Sequence, residues 1–313
     1  MLLGVTPALL VFELLGYAFL GLCIWHALHQ GRLRRARLIE LGAGVVYGLA
    51  LEIATTFQLH SYEYGCFLIM FGPVPLAIAV SWGIILYSAM AFADSLGFPS
   101  WAAPAVVGLL GLNIDLAGDA IAIRLDMWRW LEYARDQEWF GVPYANFYAW
   151  FIVLSSCSAL LWRVRSVTTR AGWRGPLAAL AAVVGSMVIL IVLDEIEVQY
   201  DHHGGIVWLP AAIVITAALS VVARGVWVMR SSGRTHVAYR EKGMNALIPT
   251  IVPFYFHFFF FSMLFIGSIA TQLPVLVAIS LAMVVVSFVS HGLMVRHEFS
   301  MSDTRAGLAA LQK

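Results

Sequence analysis

Apolar runs close to the roughly 20 residues that a helix needs to cross a bilayer recur along this chain from end to end. They can be read at Pro7 to His29, Leu38 to Gln58, Phe67 to Ala93, Trp101 to Leu125, Asn146 to Trp162, Pro176 to Glu197, Ile206 to Met229, Leu247 to Thr271 and Leu273 to Val295. The last two are divided only by a turn from Gln272 to Pro274, so the runs give seven to nine spans. Backbone in hydrocarbon must satisfy its own hydrogen bonds, which leaves helices as the expected element. The predicted fold is therefore all-α, a polytopic transmembrane helix bundle. Composition agrees: 61% of the 313 residues are hydrophobic and 12% charged, against about 25% charged in ordinary soluble domains. A soluble globular fold is excluded. One helical membrane domain is expected over residues 1–298, with a short polar cytoplasmic tail over 299–313. The first run has no basic leader before it and carries Glu13, so it reads as a span and not as a cleaved signal peptide.

Orientation follows from where the cations fall, because cytoplasmic connections collect Arg and Lys. Alternate connections hold Arg32, Arg34, Arg35 and Arg37, then Arg163, Arg165, Arg170 and Arg174, then Arg224, Arg230, Arg234, Arg240 and Lys242, and the tail adds Arg296, Arg305 and Lys313. Only Arg124, Arg129 and Arg135 lie on the other side. This predicts the N-terminus outside and the C-terminus inside. The net charge of +1 gives no reason to expect a nucleic-acid partner. Cys23, Cys66 and Cys157 are widely spaced, without a CxxC, and read as packing residues rather than a disulfide framework or thiolate metal site. Both lysines fall in a connection or the tail, so no mid-membrane Schiff base is available and a rhodopsin is excluded.

Against this charge-poor background each acid within a span is informative, since an ionisable group in hydrocarbon is costly unless it meets a polar cavity or partner. Glu52, Glu63, Asp115, Asp119, Asp126, Asp194, Glu195, Glu197 and Asp201 gather at the outer ends of the spans, and Glu13 is placed with them. Glu40 and Asp94 are among the few inner-side acids. Asp115 and Asp119 are one helical turn apart, and Asp126 is three turns from Asp115, so all three are expected to share one helix face. Two carboxylates that close cannot easily both ionise, which leaves a proton donor beside a proton acceptor. The plain alternative is a pair bridged by Arg124 or by interhelical hydrogen bonds. The connection that follows carries Trp128, Trp130, Tyr133, Trp139 and Phe140, either an interfacial aromatic belt or a pocket wall whose ring faces stabilise a cation. Asn146 caps the next helix or offers its amide to the pocket.

Upstream, Tyr62 and Tyr64 share the level of Glu52, and Pro73 and Pro75 within an apolar run predict a broken helix, which is tolerated only against a protein-lined or wet cavity. Gly44 and Gly48 read as a helix-packing face. A second acidic cluster places Asp194, Glu197 and Asp201 on one face beside His202 and His203; it is a weaker site candidate, and no HExxH completes it as a metal centre. His26, His29, His257 and His291 read as hydrogen-bonded packing or surface groups.

The order Tyr62-x-Tyr64, Gly72-Pro73, Pro75-Leu76, Trp82, Asp115-Leu-Ala-x-Asp119, Trp128-x-Trp130 and Gly141-Val-Pro-x-x-Asn146-Phe-x-x-Trp150 resembles the membrane carotenoid biosynthesis protein family. That family includes the acyclic carotenoid hydratases, bisanhydrobacterioruberin hydratase among them. The likeness spans Glu52 to Trp150, and departs from the family pattern at Ala120, where Pro is usual, and at Ala149, where Gly is usual. It implies a multi-pass enzyme of a bacterial or archaeal cytoplasmic membrane that hydrates a terminal C=C of a long polyene or isoprenoid taken from the lipid bilayer, with no cofactor and no metal. Asp115 or Asp119 would protonate the alkene, Trp128 and Trp130 would stabilise the cation, and the partner carboxylate or Glu52 would orient water. Tyr62, Tyr64 and Asn146 would complete the substrate site. Three other readings compete: a terpenoid or carotenoid cyclase with the same acid initiation, a proton-coupled transporter or lipid-binding membrane protein, and a metal-dependent hydrolase built on Asp194 to His203.

Overall fold

The computed structural model describes residues 4–58, 61–131, 138–231 and 244–310, with side chains omitted at 57–58, 244–247 and 293–310. Among the described residues, nine helices are long and apolar enough to cross a membrane. They are α1 (Pro7–Leu28), α2 (Arg34–Ile53), α3 (Leu76–Leu96), α4 (Ala103–Ala122), α5 (Tyr144–Thr168), α6 (Arg174–His202), α7 (Leu209–Ser231), α8 (Met244–Ile266) and α10 (Pro274–Ala310), with a single turn α9 (Ile269–Gln272) before the last. The bundle is all-α apart from three short antiparallel strand pairs in two of its connections. Helix α10 runs on to Ala310, and its apolar span covers Pro274–Gly292. His60, Tyr133, Arg135, Arg234, Arg240, Glu241, Lys242 and Lys313 lie outside the described residues.

Helix α3 is the axis of the bundle, with nearly every residue from Ala77 to Ala93 buried. Helix α2 packs along it through the two small residues expected to do so. Gly44 meets Gly83 and Leu86, and Gly48 lies so close to Trp82 that a Cβ there would overlap the indole. Large apolar side chains cover the rim instead: Val188, Ile191, Val192 and Ile196 on α6 and Phe258 and Ile266 on α8 are exposed. Apolar cover of this extent suits lipid and not water.

Successive spans alternate in direction, so the connections fall into two sets. At one end the buried Arg37 reaches Asp94 at 3.0 Å and Glu40 at 3.4 Å, while Arg165 reaches Glu40 at 2.6 Å and Asp94 at 2.8 Å. This four-residue lattice ties α2, α3 and α5 together, and accounts for two of the few acids expected on the arginine-rich side. Buried histidines are likewise bonded. His257 lies 2.9 Å from Asn113 Oδ1, His291 bonds the Ser287 carbonyl at 2.8 Å, and His26 lies 2.6 Å from the Tyr87 hydroxyl. Cys23 and Cys157 are buried, whereas Cys66 is exposed.

The opposite end carries the strands: β1 (Tyr62–Tyr64), β2 (Met70–Phe71), β3 (Val74–Pro75), β4 (Trp128–Trp130), β5 (Glu138–Trp139) and β6 (Val142–Pro143). Two expectations are corrected there. Pro73 and Pro75 do not break a helix, because residues 70–75 form the β2–β3 hairpin and α3 begins only at Leu76. The hairpin is held by Glu13, which accepts from the Leu68 and Ile69 amides at 2.7 and 2.9 Å and from the Tyr17 hydroxyl at 2.7 Å. Asp126 does not extend the Asp115–Asp119 face: α4 ends at Ala122, and the chain turns through a left-handed conformation at Asp126 (φ 53°), leaving that side chain exposed.

Candidate active site

Glu52 ends the regular part of α2, and the chain then loosens into a π-helical turn over Ala54–Gln58. Such turns widen a helix locally and recur at functional sites. The widening brings the chain back as β1, whose register against β4 pairs Tyr62 with Trp130 and Tyr64 with Trp128. Because side chains alternate along a strand, both tyrosines and both tryptophans face the same way and the exposed Glu63–Arg129 ion pair faces the other. The ring centroids are 4.8 Å apart for Tyr62 and Trp130 and 6.2 Å for Tyr64 and Trp128. This two-stranded strap requires Gly65, where a Cβ would collide with the Asp126 carbonyl.

Both tyrosine hydroxyls donate to Glu52 Oε2, and the Trp82 indole N–H donates to Oε1 at 2.7 Å. Burial, and then the neighbouring Glu52 carboxylate, hold the two phenols well above their usual range, so they act as donors. Glu52 is 3% exposed. Three donors from α3 and β1 therefore fix a carboxylate that would otherwise be an isolated buried charge.

Asp115 and Asp119 are buried one turn apart on α4, at 1% and 5% exposure. Their bridge is Asn146, whose Nδ2 donates to Asp115 Oδ2 at 3.1 Å and to Asp119 Oδ2 at 2.8 Å. Arg124 does not bridge them, since its guanidinium donates to the carbonyls of Ala120 and Phe140. Asn146 lies within the first turn of α5, immediately after the β5–β6 hairpin, and α5 packs along α4. Asp115 Oδ1 has no hydrogen-bond partner among the described residues.

The two carboxylate groups line one cavity of about 380 Å³. Its walls bring together Glu52, Tyr62, Tyr64, Asp115, Asp119, Trp128, Trp130 and Asn146, all of the primary candidates read from the sequence. Asp194 and Glu197 line it as well, from α6. The remainder of that second cluster is separated from them: Asp201, His202 and His203 are exposed at the helix end. Among the described residues, no group of three or more His, Cys, Asp or Glu is arranged to hold a metal ion. Sequence reading did not assign to the site Phe12, Phe256 and Phe260, which form an apolar wall, or Trp150, whose ring lies 4.2 Å from that of Trp82. Their only signal was membership of aromatic-rich spans, which lipid contact would also produce. At 380 Å³ the cavity lies at the small end of ligand pockets, a size suited to the end of a long chain. Acid groups face one another across an apolar and aromatic interior, an arrangement that can deliver a proton to an apolar ligand and shield the resulting cation.

A search of curated proteins and a search of solved structures each found no match. A family model described as carotenoid biosynthesis protein matches residues 9–219. That interval runs from α1 into α7, contains every residue of the cavity except Phe256 and Phe260, and covers more than half of the chain. The chain belongs to the carotenoid biosynthesis protein family.

Proposed function

We propose that this integral membrane protein hydrates a terminal C=C of an acyclic carotenoid or related polyene drawn from the bilayer. The observation that carries this reading is the buried Asp115–Asp119 pair, joined by one amide donor inside a cavity whose walls are largely apolar and aromatic. In such a site one member of the pair holds a proton, because two negative charges so close in low dielectric are disfavoured. The proton adds to the less substituted carbon of the terminal alkene, leaving a tertiary carbocation at its dimethyl-substituted carbon beside the rings of Trp128 and Trp130. Glu52 accepts three hydrogen bonds and donates none, so it faces the cation as a fixed acceptor for the water that captures it. Water adds its oxygen to the cationic carbon and passes a proton to Glu52; the product is a tertiary alcohol. No redox change occurs and the reaction needs no cofactor.

Expression in a cell that accumulates lycopene tests the reading through product mass. The wild-type protein is expected to add the mass of one water per modified end, and Asp115→Asn to lower that product by about 10²-fold or more. A product of unchanged mass with altered absorption would assign the site to cyclisation instead, and an unaltered carotenoid pool would overturn the enzymatic reading.

A further inference from the structure

Helix α6 faces lipid through Ile191, Val192 and Ile196, yet it sends two carboxylates into the cavity. Asp194 and Glu197 line the same space as Asp115, Asp119 and Glu52. Glu197 is 7% exposed, and neither acid has a hydrogen bond or ion pair among the described residues. The nearby Tyr148 hydroxyl donates elsewhere, to the Leu193 carbonyl at 3.1 Å. One turn beyond Glu197 on the same face stands Asp201, which is exposed at the end of the helix. Across the cavity Asp115 Oδ1 is buried without a partner. A ladder of carboxylates thus runs from the exposed helix end to an unsatisfied oxygen of the acid pair.

We propose that Asp194 and Glu197 form the water and proton port of the cavity, with Asp201 at its mouth. The proposal rests on the hydration reading, whose balance calls for such a port. In each turnover the acid pair loses a proton to carbon, one water forms the new C–O bond, and the oxonium proton passes to Glu52. One water is consumed and no net proton. The next turnover needs a fresh water in an apolar cavity and a proton returned to the pair as one leaves Glu52. Asp194 and Glu197 exchange protons with water entering past Asp201 and hold that water next to Asp115. They touch neither the alkene nor the cation and act as relay groups.

The test combines kinetics with labelling on the full-length protein in membranes. In the double variant Asp194→Asn, Glu197→Gln, hydrated product should form at least about tenfold more slowly, with substrate KM unchanged. Formate, a small diffusible acid, should restore the rate. Glu195→Gln, whose carboxylate is exposed and bonded to Gln199 at 2.8 Å, should match wild type. An undiminished rate in the double variant, or a loss that formate does not restore, overturns the port. A water-soluble carbodiimide should modify Glu197 in wild-type membranes and give no adduct there in Glu197→Gln; an unmodified Glu197 beside a labelled Glu195 also overturns it. Labelling needs no turnover, so failure of the hydration reading, seen as a wild type that yields no hydrated product, is distinguishable from failure of the port.

Discussion

The site is assembled from residues whose partners are distant in the chain, and this set what could be read in advance. Asp115, Asp119 and Glu52 were legible because charge is scarce in the spans and each such group demands a cavity or a partner. Asn146 was legible only as a cap or a pocket amide, and its choice between the carboxylates and its own helix is made by α5 packing on α4. Trp82 was noted without a role, since nothing local marks a tryptophan 30 residues from Glu52 as its donor. Asp126 misled because a helical period was carried past Ala122, whereas a left-handed turn ends the face. The double bridge from Asn146 keeps the two carboxylates in one fixed arrangement. Asn146→Ala is expected to lower hydrated-product formation about 10²-fold while leaving the bundle folded, as read by product yield and by the elution of the detergent-solubilised protein.

Elements carry the site through close approaches and buried ion pairs that hydropathy does not report. The α2–α3 seam was legible from Gly44 and Gly48, but the consequence of Gly48 was not: its missing side chain makes room for the indole that holds Glu52. Gly48→Ala should displace Trp82, with a loss of about 1–3 kcal/mol in unfolding stability and reduced turnover. Gly42→Ala, where a Cβ meets nothing within 4 Å, should leave both unchanged. The β2–β3 hairpin went unrecognised because Phe67 to Val74 is apolar enough to read as the start of a span. At the other end of the bundle, Arg165 joins Glu40 and Asp94, both shielded from solvent. Arg165→Leu leaves Arg37 as the one cation of the lattice for two carboxylates and should cost about 3 kcal/mol. Arg129→Leu breaks only the exposed pair with Glu63 and should cost under about 1 kcal/mol. Thermal unfolding of the two variants in one detergent compares these costs directly.

At the scale of the whole molecule, the alternation of spans places the described strands and the acid-lined cavity at one end, and the Arg37–Glu40–Asp94–Arg165 lattice at the other. The charge pattern predicts the lattice end in the cytoplasm and the strand end outside, because arginines flanking short connections resist translocation. In that expected orientation the cavity opens toward the outer leaflet, and Asp201 to His203 meet the outer aqueous phase. Two turns report the assignment. Gly204 follows α6 at the strand end, and Ser100 lies between α3 and α4 at the arginine end. Cys66 is exposed while Cys23 and Cys157 are buried, so a Cys66→Ser background removes the accessible native thiol. In that background a membrane-impermeant thiol reagent added to intact cells should label Gly204→Cys and spare Ser100→Cys until the cells are opened. The reverse pattern would place the cavity on the cytoplasmic side, so that the product hydroxyl forms in the inner leaflet.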